Sequence, residues 1–276
     1  MSGERRIRIL YALGAAAMAA FCLLPVAYML LVAASSRPDV LSARVEVRLT
    51  AAHFLAVLET GSLHFPEYVV NSIAVSGLSA VLAVALAAPA AYALTRLELP
   101  GRMPILFLVL SVSMFPPVSL VSYLFRMMSA LRWINTYAAL VLPYTAWVLP
   151  LSLWILVGYF SRIPRDLDRA ALLDGCGRFA ALWKVMVPVA APGIFSTAIL
   201  AFIFAFNEFL FALLLTTNQN ARTIPVGIAL FEGLHGEIPW GMIMAAATLA
   251  VVPVVLLALA FQRRIVAGLT EGAVRE

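Results

Sequence analysis

Tyr68-Val69-Val70-Asn71-Ser72-Ile73-Ala74-Val75-Ser76-Gly77-Leu78-Ser79-Ala80-Val81-Leu82-Ala83-Val84-Ala85-Leu86-Ala87-Ala88-Pro89-Ala90-Ala91-Tyr92-Ala93-Leu94 contains no charged residue. A helix of that length, at about 1.5 Å per residue, exceeds the roughly 30 Å of hydrocarbon in a bilayer. The run does not alternate apolar with polar residues, so a barrel strand is excluded. Working outward, five more apolar runs cover residues 9–33, 103–125, 137–159, 194–215 and 240–262. The expected fold is an all-α membrane protein with six transmembrane helices, organised as one transmembrane domain over 1–276.

The composition agrees. Of 276 residues 63% are hydrophobic and 12% charged, against about 25% charged in soluble domains. An ordinary soluble enzyme, a disordered chain and a disulfide scaffold are excluded. Cys22 and Cys176 form no framework, and His53, His64 and His235 have no metal-ligand spacing. The net charge of +5 reflects arginines between the apolar runs rather than a nucleic-acid surface. The first run follows Arg5, Arg6 and Arg8. It is much longer than the 7–15 residue core, roughly, of a signal peptide, so it reads as a retained span.

With the N-terminus inside, thirteen of the 19 basic residues lie in inner segments and six in outer ones. This bias predicts a multi-pass protein with both termini cytoplasmic. The first outer segment, 35–67, is expected to carry a short amphipathic helix near 51–58. The inner segment 160–190 is the most charged part of the chain.

That inner segment reads helix–Gly–helix. Pro164 suits a first turn, and Asp166 and Asp168 suit the positive end of a helix. Leu167, Ala170, Ala171 and Asp174 fall on one face by i, i+3, i+4, i+7 spacing, and Gly175 is a natural stop. Phe179, Leu182, Val185 and Met186 make a second stripe that Pro188 is expected to end. Two readings stand: a surface for docking another protein, or a helix pair lying on the bilayer.

Catalytic signatures are missing. No Walker A motif occurs, since the sole lysine, Lys184, follows Trp183. No GxSxG or HExxH occurs. The chain is expected to be non-catalytic and to bind no cofactor of its own. Asn207 and Glu208 lie deep in the fifth run; such residues line a pathway or make an interhelical hydrogen bond. Met114-Phe115-Pro116-Pro117 should break the third span, and Pro143 and Pro150 could bend the fourth. Ser72, Ser76, Ala80 and Ala83 read as close helix packing. Trp147, Trp154 and Tyr123 read as interface belt or packing.

The inner segment resembles the signature loop of ABC importer permeases: E-A-A, three residues, G, nine residues, I/V, x, L/V-P. Ala170, Ala171, Gly175 and Val187-Pro188 match, with Asp174 before the glycine. The likeness continues through Pro192-Gly193, Phe206-Asn207-Glu208-Phe209 and Gln262 to Val274, and the ending is similar to the second permease of maltose- and trehalose-type importers. The sequence departs from the motif at Arg169, which stands where the family has Glu. Either Asp168 takes that role or the partner's surface differs.

The resemblance implies a sugar importer permease. Its partners would be a homologous permease, two cytoplasmic ATPase subunits that bind ATP, an extracytoplasmic sugar-binding protein and membrane lipid. The coupling residues would be Asp168, Arg169, Ala170, Ala171, Asp174, Gly175 and Phe179. The pathway residues would be Asn71, Ser72, Tyr123, Asn207 and Glu208, with Asn71 and Ser72 lining the outer mouth or tying helices together. The segment 218–239, including Gln219 and His235, would engage the binding protein. A disaccharide such as trehalose is the expected cargo. A glycerol phosphate permease of the same superfamily and an ion-coupled transporter are the alternatives.

Overall fold

A computed structural model describes residues 3–39, 44–97, 99–231 and 238–270. His235 and the tail 271–274, both invoked above, lie outside the described residues. Four helices are long and apolar enough to cross a membrane: Ile7–Ala33, Phe65–Arg96, Tyr137–Arg162 and Trp240–Gln262. Two bent pairs raise the number to as many as six among the described residues.

The chain groups into two units. The first comprises Met1–Phe65 with Ile228–Val252. It begins with α1 (Gly3–Ala33) and continues into an antiparallel pair, β1 (Ser35–Asp39) with β2 (Arg44–Leu49). Arg37 lies opposite Glu46 in that pair. The alternation Arg44-Val45-Glu46-Val47-Arg48-Leu49 suits a strand with one apolar face. The short helix expected near 51–58 is α2 (Ala52–Glu59). His53 Nε2 lies 3.0 Å from the Ser35 carbonyl oxygen. The His53 ring lies over Gly241, where an added Cβ would come within 2.5 Å of it.

The second unit comprises Pro66–Gly227 with Pro253–Glu276. Its axis is α3 (Phe65–Arg96), whose Ser72, Ser76, Ala80, Ala83, Ala87 and Ala91 are all buried. Small side chains at this spacing let neighbouring backbones approach closely. Next come α4 (Arg102–Ser113) and α5 (Val121–Ala130), joined by a 3-10 turn at Pro117–Leu120. The chain bends by 82° between Ser113 and Pro117, where the consecutive prolines break the span as expected. In contrast α6 (Tyr137–Arg162) runs unbroken through Pro143 and Pro150.

After α6 the inner segment forms α7 (Arg165–Leu173), then α8 (Arg178–Ala181), a π-turn at Leu182–Met186 and α9 (Val187–Val189). Pro188 does not end this stretch. The wider π-turn precedes it, so the proline ring meets a displaced carbonyl rather than the usual i−4 clash. The break falls at Ala190, where the chain turns by 81° into α10 (Ala191–Phe206). The fifth apolar run is therefore not one helix over 194–215. It is α10, an interruption at residues 207–209, and α11 (Leu210–Leu215). The short α12 (Ile224–Ala229) and the long α13 (Trp240–Thr270) follow.

Two buried clusters hold the second unit. One joins Ala87, Ala91 and Tyr92 of α3 to Leu156 and Phe160 of α6 and to Leu182 and Met186 of the π-turn. The other joins Val75, Tyr144, Phe211, Leu215 and Val226. At Gly193 α10 packs directly against α6, and an added Cβ would lie 2.4 Å from the Tyr159 ring. Gly193→Ala should therefore destabilise the chain by about 1–3 kcal/mol, the usual cost of overpacking. A thermal melt of the purified protein in detergent reads this. The deficit should shrink when Tyr159→Ala is added, and an unchanged midpoint for the single variant would refute the close packing.

Candidate functional site

The α7–α8 turn is built from backbone geometry outward. Cys176 N–H donates to Ala171 O at 3.0 Å, and Gly175 N–H donates to Leu172 O at 3.1 Å. These two bonds are the Schellman closure of a helix, which needs a residue in the left-handed region. Gly175 supplies it with φ +85°.

The expected face of α7 is divided. Asp168 and Ala171, one turn apart, point inward and are buried, while Leu167, Ala170 and Asp174 remain exposed. The cause is Tyr92 of α3, whose hydroxyl donates to Asp168 Oδ1 at 2.6 Å. A hydrogen bond to a carboxylate in a dry site is short and strong. Arg169 instead lies outside, 3.5 Å from the exposed Asp166. Such a solvated pair adds little stability. Arg96, at the end of α3, donates to the carbonyl oxygens of Phe160 at 3.0 Å and Ile163 at 2.7 Å. The loop is thus tied to α3 by two polar side chains.

What the turn presents is apolar. Leu173 is 87% exposed and Phe179 74%, and the Phe179 ring meets Trp183 edge-on with centroids 6.1 Å apart. Leu182 and Met186 of the second stripe are buried, and Val185 is half-buried. Exposed apolar patches of this kind mark sites of contact with another protein or with a membrane.

Glu208 occupies the interruption between α10 and α11. Its carboxylate accepts the backbone N–H groups of Phe211 at 2.8 Å and Ala212 at 3.2 Å. It therefore caps α11, where the first N–H groups have no helical partner and the dipole favours an anion. Asn207 Nδ2 donates back to Ile203 O at 2.8 Å. Both residues line a cleft of about 480 Å³ with Pro117, Trp147, Phe204 and Phe211. A second, more apolar cleft of about 640 Å³ is bounded by Phe115, Tyr123, Met127, Pro143, Trp147 and Phe211. Trp147 and Phe211 wall both clefts and meet edge-on at 6.4 Å between centroids.

Asn71 and Ser72 lie elsewhere and are buried. Asn71 Nδ2 donates to the carbonyls of Gln219 at 3.3 Å and Arg222 at 3.0 Å, and its Oδ1 accepts from the Tyr137 hydroxyl. Ser72 Oγ accepts the Ile224 N–H at 2.8 Å. Together they clamp the 219–224 segment onto α3. Asn135, at φ +66°, pins the preceding residues by accepting from the N–H groups of Thr217 and Asn218.

So the structure gathers Asn207, Glu208 and Tyr123 around adjoining clefts, Asp168 to Phe179 around one turn, and Asn71 with Ser72 at a clamp. Sequence reasoning missed Tyr92 and the double role of Trp147 as a cleft wall. The second had a signal: Pro143 and Trp147 are four apart on one helix face. Among the described residues no three His, Cys, Asp or Glu side chains converge as for a metal.

The Tyr92–Asp168 bond yields a prediction independent of function. Tyr92→Phe leaves a buried carboxylate short of a donor, a loss of roughly 1–3 kcal/mol. Amide hydrogen exchange in α7 should accelerate by about tenfold or more, while α6 stays protected. Unchanged exchange in α7 would show that the hydroxyl does not hold the loop.

Comparison with known proteins places the chain. Residues 80–271 match the family described as binding-protein-dependent transport system inner membrane component. The trehalose/maltose transport system permease protein MalG of Thermococcus litoralis is 51% identical over 269 residues, 97% of each chain. The trehalose transport system permease protein SugB of Mycobacterium tuberculosis is 44% identical, over 76% of this chain and 77% of that one. The sulfoquinovosyl glycerol transport system permease protein SmoH of Agrobacterium fabrum is 45% identical, over 82% and 78%. A solved bacterial ABC transporter involved in the import of the acidic polysaccharide alginate shares the fold. Its TM-score is 0.77 at 21% identity, covering 95% of this chain and 98% of that chain. With the apolar spans, the helix–Gly–helix turn and the matched residues in hand, this chain belongs to the ABC importer permeases, the binding-protein-dependent transport system inner membrane components.

Proposed function

We propose that this chain is one of two homologous permeases in an ATP-driven sugar importer, with a disaccharide such as trehalose as cargo. The observation that carries the reading is the pair of clefts meeting at Trp147 and Phe211, with Asn207 and Glu208 on one wall. Sugars are bound by aromatic faces, which cover their C–H surfaces, and by a few polar groups that pair with hydroxyls. The trehalose and maltose in the names of two relatives support the same choice.

The remaining parts follow the same reading. Both termini face the cytoplasm, and the α7–α8 ridge docks on one of two ATPase subunits, which bind and hydrolyse ATP. This chain catalyses nothing. Closure of the ATPases moves the ridge, and the Tyr92–Asp168 and Arg96 ties carry that motion into α3. The pathway then opens toward a docked sugar-binding protein, which the clamped 219–224 segment helps to receive.

Uptake into vesicles bearing the co-expressed subunits is the direct test. Transport should require ATP and the binding protein and survive an ionophore; collapse with the ionophore would indicate an ion-coupled transporter. A ligand screen of the cognate binding protein should return a disaccharide.

Two substitutions separate the roles of the site. Glu208→Leu strips the cap from α11, at about 1 kcal/mol, and removes the carboxylate from the cleft. Protein level should hold while uptake falls, and Glu208→Gln, which keeps an acceptor, should retain part of it. Wild-type uptake in Glu208→Leu would remove this residue from the pathway. Gly175→Val forces a β-branched residue into the left-handed region, straining the turn by about 1–2 kcal/mol. The complex should assemble, yet transport and binding-protein-stimulated ATP hydrolysis should be lost. Wild-type rates in that variant would show that the turn is not the coupling element.

A further inference from the structure

A cavity of about 300 Å³ lies where α3 ends, α4 begins and α6 passes into α7. Three arginines line it: Arg96, Arg102 and Arg165. Among the described residues this charge is only partly answered. Among the described residues no carboxylate lies within 4.0 Å of any of the three. Among the described residues Asp168 is the one acid whose charge acts on Arg96, and it faces three guanidinium groups alone while its Oδ1 accepts from the Tyr92 hydroxyl. Arg96 spends Nη2 on two carbonyls, but its Nε–H is buried and has no partner. Among the described residues Arg165 reaches only the Thr95 carbonyl, at 3.5 Å. The Arg102 side chain makes no hydrogen bond among the described residues.

The position of the cavity narrows the ligand. It sits at the ends of two apolar spans, the level at which a bilayer changes from hydrocarbon to headgroup. Below the arginines the wall is apolar, with Met103 and Leu106. Along the same face of α4 it continues as exposed Met103 and Phe107, four residues apart. Guanidinium groups suit a phosphate, which takes two parallel N–H bonds from one fork. Basic pockets between spanning helices accept anionic headgroups by the same chemistry.

We propose that this cavity binds the phosphate of an anionic phospholipid, with Arg96, Arg102 and Arg165 as donors and the α4 face of Met103 and Phe107 as the bed of an acyl chain. The lipid brings the anion that the described residues do not place within 4.0 Å of these arginines. It also bridges α4 to the start of α7, so the loop is anchored on the membrane surface as well as on α3. The site does not depend on which side of the membrane the loop faces or on the cargo.

The test uses the full chain with its co-expressed subunits in nanodiscs. A fluorophore is placed at Phe107→Cys in a Cys22→Ser, Cys176→Ser background. Phosphatidylcholine or phosphatidylglycerol with brominated acyl chains is then supplied at equal fraction as quencher. Phosphatidylglycerol should quench at concentrations lower by about tenfold or more, since each engaged arginine contributes roughly fivefold. Arg102→Gln with Arg165→Gln should abolish the preference, and the corresponding Lys pair should keep most of it. Equal quenching by both lipids in the unsubstituted arginine background overturns the proposal, whether or not the Gln pair assembles. Loss of the preference on adding inorganic phosphate at fixed ionic strength would assign the site to free phosphate and overturn the lipid.

Discussion

Inside hydrocarbon a backbone N–H has no water to turn to, so each break in a spanning helix must bring its own partner. Much of this structure follows from that constraint. At residues 207–209 the partner is the Glu208 carboxylate, which takes the orphaned donors of α11. At Pro116 and Pro117 the missing donors are the prolines' own, the Val112 carbonyl is taken by the Phe115 N–H, and Pro117 lines one of the clefts. The clefts lie where the helices are interrupted, because an interruption is both a gap in packing and a source of polar groups.

The inner segment answers a different demand. It stands outside the apolar spans, so water can satisfy its backbone, yet it must hold one shape if it is to transmit force. Tyr92 and Arg96 provide that rigidity from a single helix, one through a hydroxyl on Asp168 and the other through two carbonyl oxygens. Gly175 turns the chain without side-chain support. The surface left free is the apolar ridge of Leu173, Phe179 and Trp183.

The spans were legible because a long uncharged run has few other fates, and the break in the third because two prolines announce it. The left-handed turn at Gly175 was legible from its place after the last periodic residue. The break in the fifth span was hidden because no proline or glycine marks it. It depends on a side chain reaching forward to N–H groups three and four residues on, and a buried Glu reads equally well as a pathway residue. The division of the α7 face was also hidden. Ala170 and Ala171 are equivalent by local periodicity, and the choice between them is made by Tyr92, distant in sequence. The β1–β2 pair had a signal in the alternation of residues 44–49, which the length of the loop obscured.

The clamp at Asn71 and Ser72 has a mechanical meaning. Helix α3 has 32 residues and so runs about 48 Å from end to end. Near one end it is pinned to the 219–224 segment, and near the other to α6 and α7. A rod fastened at both ends behaves as a lever. A tilt of about 5° carries the far end of such a helix through about 4 Å, the scale of a side-chain contact. A push of one rotamer's depth at either end would therefore arrive at the other as the making or breaking of a contact, without any helix having to unwind.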